Sequence, residues 1–147
     1  MPNSTLTTFD DLAEQIGKGV HVLGTHTLKV ALTNVAPSST MAVLADITQI
    51  AASGGYTAGA GGGYALSGVS FAESSGLAIL NATDLVITAA GGSVGPFRYP
   101  VIYNDTATSP ADALIGFLDY GSALTLADTE TLTLDFSASL GFLQITA

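Results

Sequence analysis

The spacing of apolar positions changes from helical to alternating near Thr25. Within residues 1–24, Phe9, Leu12, Ala13 and Ile16 fall three and four apart, which puts them on one face of a helix. Thr8 is placed to cap that helix, Asp10, Asp11 and Glu14 lie near the positive end of its dipole, and Gly17-Lys18-Gly19 ends it. A helix this short is marginal alone. The apolar face from Leu6 to Ile16 must therefore dock on this subunit or on a partner.

From Thr25 the period is two. Leu28, Val30 and Leu32 alternate with Thr27, Lys29, Ala31 and Thr33, as in a strand with unlike faces. The stretch Asn34 to Ser39 breaks it, and Val43, Leu44, Ile47 and Ile50 give a further amphipathic turn or two. Ala51 to Gly63, AASGGYTAGAGGG, reads as a long glycine-rich loop pinned by Tyr56 and Tyr64.

Short runs follow at Tyr64 to Phe71, Gly76 to Leu80, Leu85 to Ala89, Phe97 to Tyr103, Ala113 to Gly121, Leu124 to Leu126, Thr131 to Phe136 and Leu140 to Ile145. Turn signals separate them at Ser74-Ser75-Gly76, Gly91-Gly92, Asn104-Asp105, Asp119-Tyr120-Gly121 and Ala127-Asp128. About eight or nine strands behind one helix predict an all-β, antiparallel β-sandwich, for which a jelly roll is the commonest eight-strand solution. The expected division is an N-terminal helix or arm over 1–24 and one β-sandwich domain over 25–147.

The stretch Gly91 to Leu126 is the richest in information. In its first run Phe97, Tyr99, Val101 and Tyr103 share one parity, and Arg98, Pro100 and Ile102 the other. Pro100 has no N–H for a neighbouring strand, which predicts a sheet edge. A turn at Asn104-Asp105-Thr106 and a loop through Ser109-Pro110 then lead to the second run. That run is apolar at both parities, as in a strand covered on both faces. An edge strand bearing aromatic rings and the sole arginine suits a contact surface, and the same rings equally suit a core.

Length adds that 147 residues fit one domain able to bury a sizeable core. The absence of cysteine excludes disulfides, thiolate-bound zinc and thiol chemistry. Only Lys18, Lys29 and Arg98 are basic against twelve acids, for a net charge of −9. Three scattered bases cannot neutralise a phosphate backbone, so nucleic acid is excluded as a direct partner and an anionic membrane is disfavoured. Charged residues are 10% of the chain, against about 25% in ordinary soluble domains. Such a surface suits a component of an assembly. The start MPNSTLTTFDD has neither a basic nor an apolar leader region, and no interval reads as a transmembrane helix, so a soluble chain without a standard signal is expected.

Candidate chemistry is sparse. His21 and His26 are five apart, which neither strand nor helix geometry presents as a chelating pair. Asp105, Asp112, Asp119 and Asp128 sit in or near turns, where aspartate bonds to local backbone, and no calcium-loop pattern is present. The glycine cluster is followed by no lysine, which removes the phosphate-loop and dinucleotide readings. A distant carboxylate pair acting on glycosides has no specific support. No catalytic residue, cofactor or metal is assigned, and a non-enzymatic role is expected.

Several strings taken in order carry a resemblance: Gly17-Lys18-Gly19-Val20-His21 leading into Thr27-Leu28-Lys29-Val30-Ala31-Leu32-Thr33-Asn34, then Leu44-Ala45-Asp46-Ile47 with Gly54-Gly55-Tyr56-Thr57. Phe97-Arg98-Tyr99, Tyr103-Asn104-Asp105-Thr106 and Asp119-Tyr120-Gly121 complete the series. Over nearly its whole length the chain resembles the small capsid decoration, or cement, proteins of tailed bacteriophages. The resemblance implies an oligomeric subunit, a homotrimer or homodimer, located on the capsid exterior after assembly in the host cytoplasm. There it would bind the major capsid protein and clamp adjacent capsomers. On physical grounds Leu6, Phe9, Leu12, Ile16, Phe97, Arg98, Tyr99 and Tyr103 are the expected contact residues, to the shell or between subunits. The competing class is a tail- or fibre-associated sandwich that binds host-surface glycans through aromatic rings and aspartates.

Overall fold

The computed structural model describes residues 6–136, 139 and 141–146. The alternating run Leu28–Thr33 is a strand, β2, as its spacing predicts, following β1 (Thr7–Thr8) and one helix, α1 (Leu12–Gly17). After it come β3 (Tyr64–Ala65), β4 (Ser70–Ser74), β5 (Leu77–Asn81), β6 (Leu85–Thr88) and β7 (Val94–Phe97). The chain continues through β8 (Tyr99–Thr108), β9 (Ala111–Phe117), β10 (Leu124–Leu126), β11 (Thr131–Leu134) and β12 (Leu143–Thr146). Of the run expected over Leu140 to Ile145, Leu140 lies outside the described residues.

The largest sheet has the order β1-β9-β8-β2-β3, and the smaller ones are β12-β5-β4, β11-β6 and β10-β7, with every pairing antiparallel. Among the described residues the fold is therefore all-β with one short α-helix and a single 3-10 turn at Leu44–Asp46, consistent with a sandwich. This division among four sheets does not establish a jelly roll.

Both faces of the large sheet are covered. On one, Leu28, Val30 and Leu32 of β2, Ile102 of β8 and Ile115 of β9 pack in a cluster with Leu80, Ile87, Phe97, Leu126 and Leu134 from the smaller sheets. On the other, Ala31, Val101, Tyr103 and Leu114 lie under Phe9, Leu44 and Ile47. Coverage on two sides is why β9 is apolar at both parities. Each fully buried leucine or isoleucine contributes about 1.5–3 kcal/mol, so this double core is the main stabilising feature.

Three expectations are corrected. Pro100 is in the middle of a sheet: it faces Leu32 on β2, and β8 has neighbours on both sides. The Leu32 N–H and carbonyl point away from it, to the Tyr56 hydroxyl and the Ile50 N–H. The Pro100 carbonyl accepts the Leu118 N–H, just past the end of β9. The missing donor therefore lies at the end of a ladder, where little pairing is lost.

Asn104-Asp105-Thr106 is no turn either. The strand β8 runs on to Thr108, with irregular register between Asn104 and Thr108. The Asn104 Oδ1 accepts the Thr106 and Ala107 N–H groups, so the local bonding that reads as a turn is absorbed as a bulge inside the strand.

At the N-terminus, Thr8 belongs to β1, which pairs Thr7 with Phe117 and Thr8 with Gly116. The helix is capped from Asp11 instead and makes no side-chain cap bond. Leu12 is buried, Ile16 packs against the main core, and Ala13, expected on the same face, is exposed. The described part of the arm thus docks on its own subunit. Gly116 admits it closely, since a Cβ there would lie 2.8 Å from the Thr7 carbonyl oxygen.

The glycine-rich loop is pinned by buried hydroxyls. The Tyr56 hydroxyl accepts the Leu32 N–H at 3.0 Å and donates to Gln49 Oε1 at 2.8 Å, while its ring packs 5.7 Å from that of Tyr64. The Tyr103 hydroxyl donates to the Gly62 carbonyl at 2.6 Å, and Lys29 Nζ to the Gly61 carbonyl at 2.7 Å. Tyr56 does for Leu32 what a neighbouring strand would, because β3 reaches β2 only at Lys29 and Val30. Tyr56→Phe strands a buried N–H and is expected to cost about 1–3 kcal/mol in urea unfolding. A change below about 0.5 kcal/mol would show that water replaces the hydroxyl freely.

Candidate contact surface

The eight residues expected at a contact do not form one surface. Phe9, Leu12, Phe97 and Tyr103 are interior to the subunit, the last two with no exposed area. Leu6 and Ile16 are half-buried against the main core. Arg98 and Tyr99 alone of the eight stand at the surface away from that core, both partly exposed. The expected aromatic row is divided because the strand is interrupted at Arg98. Phe97 belongs to β7 and pairs with Leu124 of β10, whereas Tyr99, Val101 and Tyr103 belong to β8. Phe97 enters the main core and Tyr103 the second one.

At the junction of β7 and β8 the backbone is clamped on both sides. The Arg98 N–H donates to the Thr33 carbonyl, and the Arg98 carbonyl accepts the Tyr120 N–H, each at 3.0 Å. The guanidinium grips Asp119 with two bonds, Nε to Oδ1 at 2.7 Å and Nη2 to Oδ2 at 3.0 Å. Asp119 Oδ1 also accepts the Gly121 N–H at 2.8 Å, which orients the carboxylate for the fork. The Arg98 Cζ stands 5.2 Å from the centre of the Tyr99 ring, a cation–π distance.

Behind Tyr99, the Phe117 ring lies edge-on at 6.3 Å, and Phe9 lies 5.5 Å beyond it. A run of rings therefore supports the arginine from the second core outward. Bonding to Arg98 and to the Gly121 N–H holds the Asp119 carboxyl below its ordinary range, and the same pair raises the arginine. A carboxylate of lowered pKa stabilises the fold above its unfolded value, and that contribution is lost as pH falls through the folded one.

The other two bases are also paired inside the subunit, Lys18 with Glu14 and Lys29 with Asp105 at 3.0 Å. None of the three cations is free. The net charge of −9 is thus carried by acids in excess of these pairs.

His21 and His26, not expected to chelate a metal, both meet the buried amide of Asn104. Among the described residues no group of three or more His, Cys, Asp or Glu side chains converges as metal ligands would. An open cleft of about 340 Å³ is lined by Gly68, Ser70, Asn81, Thr83, Asp84 and Phe136. Its Asp84 Oδ1 accepts the Phe136 N–H, and the Phe136 ring is buried.

Sequence reasoning found Arg98 and Tyr99 but missed Asp119 and Phe117 as their supports. The signal for Asp119 was the Asp-Tyr-Gly turn, which says that the aspartate bonds locally but not which cation it meets. No protein-family model, curated protein or solved structure matches this chain.

Proposed function

We propose that this chain is a non-enzymatic virion structural protein that binds the outer surface of a phage capsid and stabilises contacts between capsomers. Its partners are the major capsid protein and further copies of itself, in a homotrimer or homodimer, without nucleic acid, membrane or cofactor. The resemblance in the ordered strings supports this reading. So does the scarcity of charge, which suits a surface covered by neighbours.

The observation that carries it is the Arg98–Tyr99 patch, where a braced arginine stacks on a tyrosine at the surface of a chain with only three basic residues. Arginine and tyrosine dominate interface energetics, and prior bracing lowers the ordering cost of binding. Repeated around a shell, a modest affinity per contact gives a large total gain.

Arg98→Ala is expected to fold with a melting midpoint near the parent's and to decorate particles at least tenfold more weakly, a loss of about 1.4 kcal/mol per contact. Particle co-sedimentation measures it. Unchanged decoration by a folded variant would remove the patch from the contact. The copy number of the chain in purified particles, measured against the major shell protein, tests the function itself. A stoichiometry comparable to the shell protein supports decoration, a handful of copies moves the chain to the tail or fibre, and none ends the structural reading.

The cleft beside Asp84 favours a second reading, a tail- or fibre-associated module for host-surface glycans. Its hydroxyl, amide and carboxylate lining is of the kind that sugar hydroxyls bind, although the buried Phe136 offers no open stacking face. Binding on a glycan array that Asp84→Ala abolishes would establish this reading, and an empty array would remove it.

A further inference from the structure

The segment between α1 and β2 is tied to β8 at a buried knot, in addition to the Thr27 bonds at its end and the packing of Leu23 in the main core. Asn104 of β8 has no exposed area, and its Nδ2 stands 2.9 Å from His26 Nδ1, 3.1 Å from His21 Nδ1 and 3.3 Å from the Val20 carbonyl. Its Oδ1 already accepts the Thr106 and Ala107 N–H groups at 3.0 and 3.2 Å. Those two donors fix the amide orientation, so Nδ2 is the donor toward the rings. The Val22 N–H also points at His26 Nδ1, at 3.4 Å.

Nδ2 has two hydrogens for these three neighbours and accepts nothing, so an Nδ1 that faces it presents a lone pair, which for His21 means a neutral ring with its proton on Nε2. A proton arriving at the His21 Nδ1 would set N–H against N–H. For His21, 4% exposed, it would also place a charge in the interior.

The groups around His21 pull in both directions. Burial disfavours its charged form most, and the neighbouring His26 adds to that. The Asp11 carboxylate at the start of α1 favours it, as does the Leu114 carbonyl on β9, although Nε2 completes no hydrogen bond with either. Burial prevails, and the ring sits below the ordinary histidine value.

We propose that the His21–Asn104–His26 knot is an acid-sensitive latch, closed while the His21 ring is neutral and opened by its protonation, which frees residues 20–26 from β8. The Thr27 backbone, bonded to Thr106 Oγ1 and to the Asp105 N–H, marks where the opening stops. The sign follows from His21: its closed-state pKa is depressed, so the open form takes up the proton more readily. Closure is complete above the ordinary histidine value of about 6.5 and weakens below it. For one proton, the closed-to-open ratio falls about tenfold per pH unit until the pH reaches the ring's own lowered pKa.

Amide hydrogen exchange of the whole chain at about pH 7.5 and about pH 5.5, corrected for intrinsic rates, tests this. Protection of residues 20–26 is expected to drop up to about tenfold at the lower pH, while β2 and β8 keep theirs. In the double variant His21→Asn and His26→Asn, amide oxygens accept where Nδ1 did and do not titrate, so the dependence is expected to vanish. Should that variant fail to fold, nitrogen-15 spectra of the parent decide. His21 Nδ1 unprotonated at neutral pH, with the Asn104 amide signal shifting as that ring titrates, upholds the latch. Protection independent of pH, a dependence that persists in the folded variant, or an Nδ1–H tautomer of His21 at neutral pH overturns it.

Discussion

Gly63→Ala is expected to destabilise the fold by about 3 kcal/mol or more, enough to remove a large part of a typical domain's stability. Two costs combine. Gly63 has φ +78°, and its Cβ would stand 2.3 Å from the Val30 carbonyl oxygen and 2.9 Å from the carbonyl carbon. The left-handed backbone alone costs an L residue about 1–2 kcal/mol. The collision adds to this because Val30 lies in β2, bonded to β8 on one side and β3 on the other, and cannot recede.

Gly55→Ala is the control. Its φ is +90°, but nothing lies within 4 Å of the added Cβ, so only the backbone cost of about 1–2 kcal/mol applies. Urea unfolding of both variants measures the difference. Equal losses would show that the loop shifts to accommodate the methyl group and that its tight seat on β2 is not required.

Phe97→Ala is expected to cost about 3–5 kcal/mol, the range for emptying a fully buried phenylalanine site. Phe97 has no exposed area and belongs to the main core with Leu126 and Ile102. A residue at a subunit or capsid contact would behave in the opposite way, keeping the fold while losing association. Thermal and urea unfolding decide between the two. If the alanine variant does not fold, Phe97→Leu, with a smaller expected loss of about 1–2 kcal/mol, gives the same discrimination. A stable Phe97→Ala variant with weakened self-association would return this ring to the interface.

The contrast between Phe97 and Arg98 shows where linear reading stops. Both lie in one alternating run, and parity alone joins Phe97 to Tyr99, Val101 and Tyr103. Parity carries no further than the strand does, and the break at Arg98 assigns Phe97 to a different sheet. Asn104 misleads in the same way. Its affinity for nearby backbone N–H groups is real, and those bonds form, but inside a bulged strand whose register is held by β2 and β9. Asp119 was legible as a turn residue, and its salt bridge was not, because the arginine it meets is twenty-one positions away. The histidines are the sharpest case. Their spacing of five argues against a chelating pair and says nothing of a shared partner, which β8 supplies by bringing Asn104 between them.

By itself the sequence determined the all-β class, the strand at Leu28–Thr33, the double burial of the second apolar run, the pinning of the glycine loop by Tyr56 and the paucity of cations. Each of these follows from local periodicity or composition, which operate over a few residues or over the whole chain without regard to neighbours in space. Tertiary structure alone decided that β1 docks on β9, that Pro100 lies mid-sheet, that Phe97 and Tyr103 are core, and that Arg98, Asp119 and Tyr99 form one braced patch. Those outcomes depend on which strands pair and in what register. Pairing energy comes from contacts between residues far apart in sequence, and no local pattern records them.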